Sequence, residues 1–499
     1  MCVIYTMEPQ ERENGYGHIL KYTSLFGGVQ GINILVALIR NKFIAQILGP
    51  LGMGYIGLYN STVRLVSDAT SFGLSMSAVK RISEDFDSGD PEKVGQAIRL
   101  VRFWELLTAL LGMAVCIILS PLLSEWTFKF GDHALHFVML SPVVAITAIT
   151  GGETAILKGT RQLHSLAAIS VWNIIAALFT TIPLYWFFGI KAIVPSLIIM
   201  ALTQMLLTIG VSFSRHPLSL SSSSNRLRES RDMVTLGTAF VLAGIMGSGA
   251  EMVIRSYLNN VGDTAILGLY NAGYMMTVTY AGMVFSAMET DYFPQLAAIN
   301  APGAQLNALV NRQMEVSLLI IAPLLTLFII AQPILLPLLY SHAFMGIMGM
   351  AQVSALSMFM RALYLPVEYI PLSRGDSRRY LIMESSAAVL LVGCVYLGYH
   401  FYGLTGIGLG ILASSTLEFI GAVIFMALSY GYKPSDTLAR YIALFIPLGI
   451  TAYLITYVHA AWLYWLLGMA VVGITSWLSL HIIVSKTQLM QQLRQKLRR

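Results

Sequence analysis

The stretch Leu48–Asn60, LGPLGMGYIGLYN, returns in form at Leu258–Asn271 as LNNVGDTAILGLYN. Gly57-Leu58-Tyr59-Asn60 matches Gly268-Leu269-Tyr270-Asn271 at an offset of 211, and Gly52 matches Gly262 with one residue inserted between. Each copy falls where a short outer turn is expected between the first two helices of a six-span block, so the chain reads as two structural repeats. Six is an even number of crossings. Both repeats then enter the membrane in the same direction, and a pseudo-two-fold axis along the membrane normal relates them, an arrangement found in rocking transporters.

The rest of the sequence supports a polytopic membrane protein. Of its 499 residues, 56% are hydrophobic and only 11% charged, too few for the surface of a soluble enzyme. A hydrocarbon core of about 30 Å needs about 20 apolar helical residues. That length gives fourteen expected spans, near 19–47, 53–80, 100–122, 137–158, 165–188, 192–213, 233–257, 264–290, 310–331, 347–370, 380–399, 404–429, 441–458 and 462–484. The expected fold is thus all-α: two six-helix lobes plus two C-terminal helices. The division is a tail (1–18), an N-lobe (19–213), a linker (214–232), a C-lobe (233–430), the last two spans (431–484) and a basic tail (485–499). Alternating patterns are absent and the apolar runs are too long for barrel strands.

Only Lys129 and Lys191 of the 31 basic residues fall in expected outer loops, while Arg40, Lys42, Arg64, Arg255 and Arg361 fall within spans. The others lie on the opposite side, which by the positive-inside rule places both termini in the cytoplasm. The basic excess of +6 is therefore topology, and nucleic-acid binding has no support. The linker, SRHPLSLSSSSNRLRESRD at Ser214–Asp232, is serine-rich and basic, the composition of a flexible connection. No cleaved signal peptide is apparent, and Met7 is an alternative start. In the last tail Leu489, Leu493 and Leu497 share one helical face among basic residues, suited to an anionic membrane surface. Cys2, Cys116 and Cys394 have no metal or disulfide spacing, and the nine histidines form no ligand motif, so neither a metal nor a cofactor is expected.

A charge in a membrane-crossing helix costs at least about 2.5 to 3.5 kcal/mol on insertion scales, so those retained are expected to face a cavity or a partner. Arg40 and Lys42 follow the run GINILVALI, with no acid within one turn. Arg64 and Asp68 stand one turn apart, as do Glu251 and Arg255 in reversed order. Met275 and Thr279 occupy the positions of Arg64 and Asp68 in the second copy, which predicts an asymmetric site. Arginine stays charged when desolvated and binds phosphate bidentately. Arg40, Lys42, Arg64 and Arg255 are accordingly candidate ligands for a phosphate or pyrophosphate. The alternative is that Arg64/Asp68 and Glu251/Arg255 neutralise one another as structural pairs, with Arg40 and Lys42 snorkelling. Glu153 is the clearest unpaired acid within a span and Glu418 the second; with Asp68 and Glu251 they are candidates for proton or sodium coupling. Gly27–Gly31, Ala243–Gly249 and Gly406–Gly410 permit close helix approach.

The pattern IRNKFIAQILGPLGMGYIGLYN followed by SFGLSMSAVKRISE, within Ile39–Glu84, resembles the O-antigen translocases and polysaccharide biosynthesis flippases of the multidrug/oligosaccharidyl-lipid/polysaccharide exporter superfamily. That resemblance extends through the repeat to about Tyr430. It implies a two-lobed flippase that carries an undecaprenyl-pyrophosphate-linked oligosaccharide, such as an O-antigen unit of lipopolysaccharide, across the bacterial inner membrane by alternating access. It also implies association with membrane lipids, a polysaccharide polymerase and chain-length machinery. In related lipid II flippases, arginines on the first two helices hold the pyrophosphate; Arg40 and Arg64 match those positions, Arg255 less closely. The competing readings are a cation-coupled multidrug exporter of the same superfamily and a membrane glycosyltransferase, polymerase or ligase. The third would need catalytic acids on an outer loop, for which only Glu125 and Asp132 offer themselves.

Overall fold

The computed structural model describes residues 9–128, 133–217, 231–297, 299 and 303–486. All secondary structure in these segments is helical. The first helix, α1 (Pro9–Thr70), consists of two limbs folded at Gly49, whose φ of 65° and ψ of −169° leave the helical region. Pro50 then starts the second limb, where its missing N–H costs no intrahelical bond. The helix thus begins well before the expected first span. Each Gly-Leu-Tyr-Asn copy lies inside a helix that follows the turn, rather than in the turn itself.

The second expected span is also interrupted. Phe72 and Gly73 take left-handed φ values of 50° and 63°, and α2 (Leu74–Asp87) resumes as a separate amphipathic helix. Its buried face, Leu74, Ala78 and Ile82, packs on Ala97, Ile98 and Val101, while Lys80–Glu84 and Arg81–Asp85 pair on the outer face. Next come α3 (Pro91–Ile118), the short α4 (Ser120–Thr127), α5 (Ala134–Gly159), α6 (Leu163–Phe188) and α7 (Ile193–Arg215). Asp90 caps α3 by accepting from the backbone N–H groups of Glu92 and Lys93 at 3.0 and 3.4 Å, which holds its carboxyl below the usual range.

The second lobe repeats the plan with α8 (Arg231–Val261), α9 (Thr264–Tyr274), a π turn at Met275–Thr279 and α10 (Tyr280–Ala297). The π turn sits where the first copy has Arg64 and Asp68. It is followed by α11 (Ala304–Leu339), α12 (Met348–Ser373) and α13 (Ser377–Tyr430), which folds back at Gly403 as α1 does at Gly49. The final pair, α14 (Asp436–Ile455) and α15 (Ala461–Lys486), packs on α11. There Tyr464 donates to the Ile330 carbonyl at 2.6 Å and Ser479 to that of Leu319.

Among the described residues, eight helical runs are long and apolar enough to cross a membrane, two of them, His164–Arg215 and Ser377–Tyr430, containing two expected spans each. The four expected spans outside these runs are the first, second, seventh and eighth. Three of these, the first, second and seventh, carry Arg40, Lys42, Arg64, Asp68, Glu251 and Arg255. Hydrophobic burial drives no helix association within lipid, so close backbone packing must supply it. The two lobes meet in that way through α1 against α8 and α9. At the turn end a Cβ on Gly57 would stand 1.9 Å from Asn271 Nδ2, one on Gly54 2.1 Å from the Thr264 carbonyl oxygen and one on Gly268 1.6 Å from that of Pro50. The two repeat copies therefore interlock, and a shared core from Ile44 and Leu58 to Tyr270 and Ile407 surrounds them. Asn259 and Asn260 of α8 extend the seal by donating to the carbonyls of Thr127 and Trp126 at 2.9 and 3.1 Å. The serine-rich linker at 218–230 and the tail beyond Lys486, including the leucine face at 489–497, lie outside the described residues.

Candidate functional site

Below the interlock, the charges of α1 and α8 form one chain across the lobes. Asp68 Oδ2 lies 3.8 Å from Arg64 Nε, and Arg64 Nη1 reaches 3.5 Å to Glu251 Oε1 on the opposite lobe. Glu251 Oε2 accepts from Arg255 Nη1 at 2.7 Å, and Arg255 Nε donates to Asn271 Oδ1 at 3.0 Å. Asn271 in turn donates to the Met53 carbonyl at 3.2 Å, which returns the chain to the first lobe. Four expected site residues, Arg64, Asp68, Glu251 and Arg255, are thus brought together, and the i,i+4 spacing that selected them produces both pairs.

Their environments differ. The Arg255 side chain is 12% exposed and its guanidinium faces the Tyr274 ring at 5.9 Å; its charge is already matched within the protein. Arg64 keeps 63% of its side chain exposed, with contacts near 3.5 Å or longer, so its fork is available to another anion. Its buried partner Arg255 fixes Glu251, and Glu251 orients Arg64.

Arg40 and Lys42 are half-buried on the first limb of α1. Arg40 lies within electrostatic reach of Tyr185 near the end of α6, whose hydroxyl lies 2.5 Å from Ser196 Oγ. Between them Asn41 is buried and donates to Met275 Sδ at 2.9 Å, joining the first limb to the π turn of the other lobe. The π turn is a distortion that recurs at functional sites.

Glu153 is a correction. Its carboxylate is not unpaired: Arg102 of α3 donates to both oxygens, at 2.7 and 3.1 Å, and Ser212 of α7 donates as well. Arg102 also lies 4.3 Å over the Phe213 ring. Beside this pair Glu105 of α3 is 4% exposed; its Oε1 has no hydrogen-bond partner and packs on Gly152. Sequence reasoning counted Arg102 among the basic residues of the cytoplasmic side and overlooked Glu105 three residues on.

Glu418 lies on α13 within electrostatic reach of Arg361 and Glu384. Glu368 of α12 is buried and within hydrogen-bonding distance of Glu384. Arg361 also acts on Tyr274 beside the inter-lobe chain. Arg361, Glu368 and Glu384 were not among the expected site residues, although Arg361 stood out as a basic residue within a span. No group of three or more His, Cys, Asp or Glu that could hold a metal occurs among the described residues. Glu125 is on α4, and Asp132 lies outside the described residues.

A family profile described as "Polysaccharide biosynthesis protein" matches residues 43–348, more than half of the chain. Against curated proteins the sequence finds no match. Among solved structures, the fold is similar to the lipid II flippase MurJ in an inward closed conformation, with 14% identity and a TM-score of 0.69 over 92% of this chain and 99% of that one. It is also similar to an inward-facing multidrug resistance MATE transporter of the MOP superfamily, with 14% identity and a TM-score of 0.64 over 82% and 96%. The MATE transporter VcmN of Vibrio cholerae gives 16% identity and a TM-score of 0.58 over 82% and 94%. These likenesses establish the shared two-lobed helical fold.

Proposed function

The chain belongs to the polysaccharide biosynthesis protein family, and from that premise we propose that it is a flippase for an undecaprenyl-pyrophosphate-linked oligosaccharide of the bacterial inner membrane rather than an enzyme. The observation that carries the reading is the inter-lobe chain Asp68–Arg64–Glu251–Arg255, in which Arg64 is the exposed guanidinium. A pyrophosphate arriving between the lobes competes with Glu251 and Asp68 for Arg64. Binding then exchanges one set of ionic contacts for another, which limits the desolvation cost that an unpaired buried arginine would impose. Arg40 and Lys42 add the positive charge that the balanced quartet lacks. Arg255 positions Glu251. The glycan crosses in water between the lobes while the polyprenyl tail stays in lipid, and the interlocked glycine-bearing helices close one side during loading. O-antigen is the glycan class the sequence resemblance favours, with a polymerase and chain-length machinery downstream.

Coupling to protons or sodium rests on the buried carboxyls. Glu105, next to the Arg102–Glu153 pair, and the Glu368–Glu384 pair, with Glu418 and Arg361 nearby, each place more acids than bases in one place. That same acid excess in the C-lobe favours the second reading, a cation-coupled multidrug exporter.

Deletion of the gene and the variants Arg64→Ala and Arg40→Ala test the proposal. Each variant should abolish surface glycan with normal expression, and lysine at either position should rescue poorly because it lacks the planar fork. Lipid-linked glycan should accumulate on the cytoplasmic leaflet of the deletion strain. Normal glycan display in both alanine variants rejects the site; drug sensitivity with intact glycan identifies the exporter.

A further inference from the structure

Among the described non-glycine residues, only Phe72 and Arg161 have positive φ, 50° and 56°. Arg161 lies in the turn between α5 and α6, where a polar residue adopts such a conformation at little cost. Phe72 instead interrupts the second expected span and is followed by Gly73 at φ 63° and ψ 18°. The second limb of α1 ends there at Thr70, 13 residues beyond Gly57 and so about 20 Å along the limb from the interlock. We propose that Phe72–Gly73 is a strained hinge between this limb and α2, about which the limb, with Arg64 and Asp68, leaves α8 as the bundle opens at the end opposite the interlock.

Strain is the first argument. A bulky side chain at left-handed φ is an outlier, and such residues persist only where their surroundings hold them, typically at switches. The Phe72 ring is held by its packing on the cluster of Leu74, Ala78, Ile82, Ala97, Ile98 and Val101. Hydrogen bonding is the second argument. In a continuous helix the Asp68 carbonyl would accept from the N–H of Phe72, and the N–H of Gly73 would donate to Ala69. At the break the Ser71 hydroxyl replaces both, donating to the Asp68 carbonyl at 3.1 Å and accepting from Gly73 N–H at 3.4 Å. The Ser71 carbonyl accepts from Leu74 N–H at 3.1 Å. Bending and straightening therefore exchange hydrogen bonds rather than lose them, which leaves the Phe72 strain and the inter-lobe contacts to set the balance.

The two arms of the hinge are held differently. α2 is fixed to the first lobe through its apolar face and through Ile82, whose Cβ lies 2.7 Å from where a Cβ on Gly159 would stand. The limb lies against the second lobe instead. A Cβ on Gly244 would be 3.7 Å from Asp68 Cβ and one on Gly249 3.8 Å from Leu65 Cδ1. Asp68 is within hydrogen-bonding distance of Ser248, and Arg64 reaches Glu251 at 3.5 Å. α2 meets α8 as well, so opening parts both arms from the second lobe, and the break sets the angle between them. A backbone pair that absorbs a large φ/ψ change between two packed arms is the form a hinge takes. An anion that draws Arg64 from Glu251 and Asp68 weakens the contacts that hold the limb down and lets the strain open it. That last link rests on the function proposed above; the hinge itself depends on no particular substrate.

The test uses the full chain in nanodiscs without substrate, with Cys2, Cys116 and Cys394 replaced by alanine and spin labels at the exposed positions Ala69 and Leu242. Phe72→Gly removes the strain and should multiply the ratio of short to long label distances by about 5- to 30-fold, the cost of a Cβ at left-handed φ. Gly73→Ala adds the same strain and should move the ratio the other way. Phe72→Leu keeps the strain and most of the apolar contact and should leave it unchanged. If Phe72→Gly does not fold, Phe72→Asn takes its place, since asparagine tolerates left-handed φ. Shifts of the same sign in the glycine and alanine variants, no shift in either, or an equal shift in Phe72→Leu overturns the hinge. Because these distances are read without substrate, that failure leaves the flippase reading standing, and normal glycan display in Arg64→Ala would leave the hinge standing.

Discussion

Gly268→Ala is the sharpest perturbation the structure offers. A methyl group there would stand 1.6 Å from the Pro50 carbonyl oxygen and 3.0 Å from the Gly54 backbone nitrogen. Real Cβ contacts do not fall below about 3 Å, so α9 and the second limb of α1 must separate by more than an ångström. Neither obstacle is a side chain that can rotate away, and Gly57 and Gly54 meet the same helix from the other side. Overpacking of this kind costs about 1 to 3 kcal/mol. Because the clash exists only while the turn ends are closed, that cost falls on the closed arrangement. It multiplies the population of arrangements with separated turn ends by about 5 to 150-fold. Spin labels on solvent-exposed positions of α4 and α8, read by electron–electron distance measurement in nanodiscs, report the separation directly. The variant should move a large fraction of molecules to the longer distance and slow export, and Gly268→Ser should do the same. A distance distribution identical to that of the parent, in a variant that folds, refutes the interlock as the closure.

Other expectations follow from the buried charges. Glu105→Gln replaces a buried carboxyl whose Oε1 has no hydrogen-bond partner and should leave the fold intact while altering the response of transport to an imposed proton gradient. Glu153→Gln leaves Arg102 uncompensated and should lower thermal stability by about 3 to 5 kcal/mol, visible as early unfolding in detergent; equal effects of the two variants would contradict the pairing.

Much of the architecture was legible because apolar length and an internal repeat are local signals. The Gly-Leu-Tyr-Asn copies identified the symmetry, and i,i+4 spacing identified the two pairs that became the inter-lobe chain. What escaped was set by contacts distant in sequence. Nothing within one helical turn of Glu153 announces Arg102, which lies 51 residues earlier. A depth comparison would have found it: Arg102 sits two residues inside the basic end of its span, and Glu153 five residues inside the same end of the next. The break at Phe72–Gly73 was hidden for a different reason. Hydropathy continues across it, and only the glycine before Leu74 signals that a left-handed residue ends one helix. Glu368 and Glu384 are on separate helices, so no periodicity links them.

The Arg102–Glu153–Ser212 contact also sets an order of events during synthesis. Arg102 is made 51 residues before its carboxylate partner, and that partner 59 residues before Ser212. At about 5 to 20 residues per second, the arginine waits roughly three to ten seconds for its counter-ion, and a similar interval passes before α7 completes the set. During the first wait its long side chain can keep the charge in water only if α3 stays high at the lipid boundary. The nascent α3 therefore settles to its final depth after α5 has emerged, and the N-lobe is born as a cohort of helices rather than one at a time.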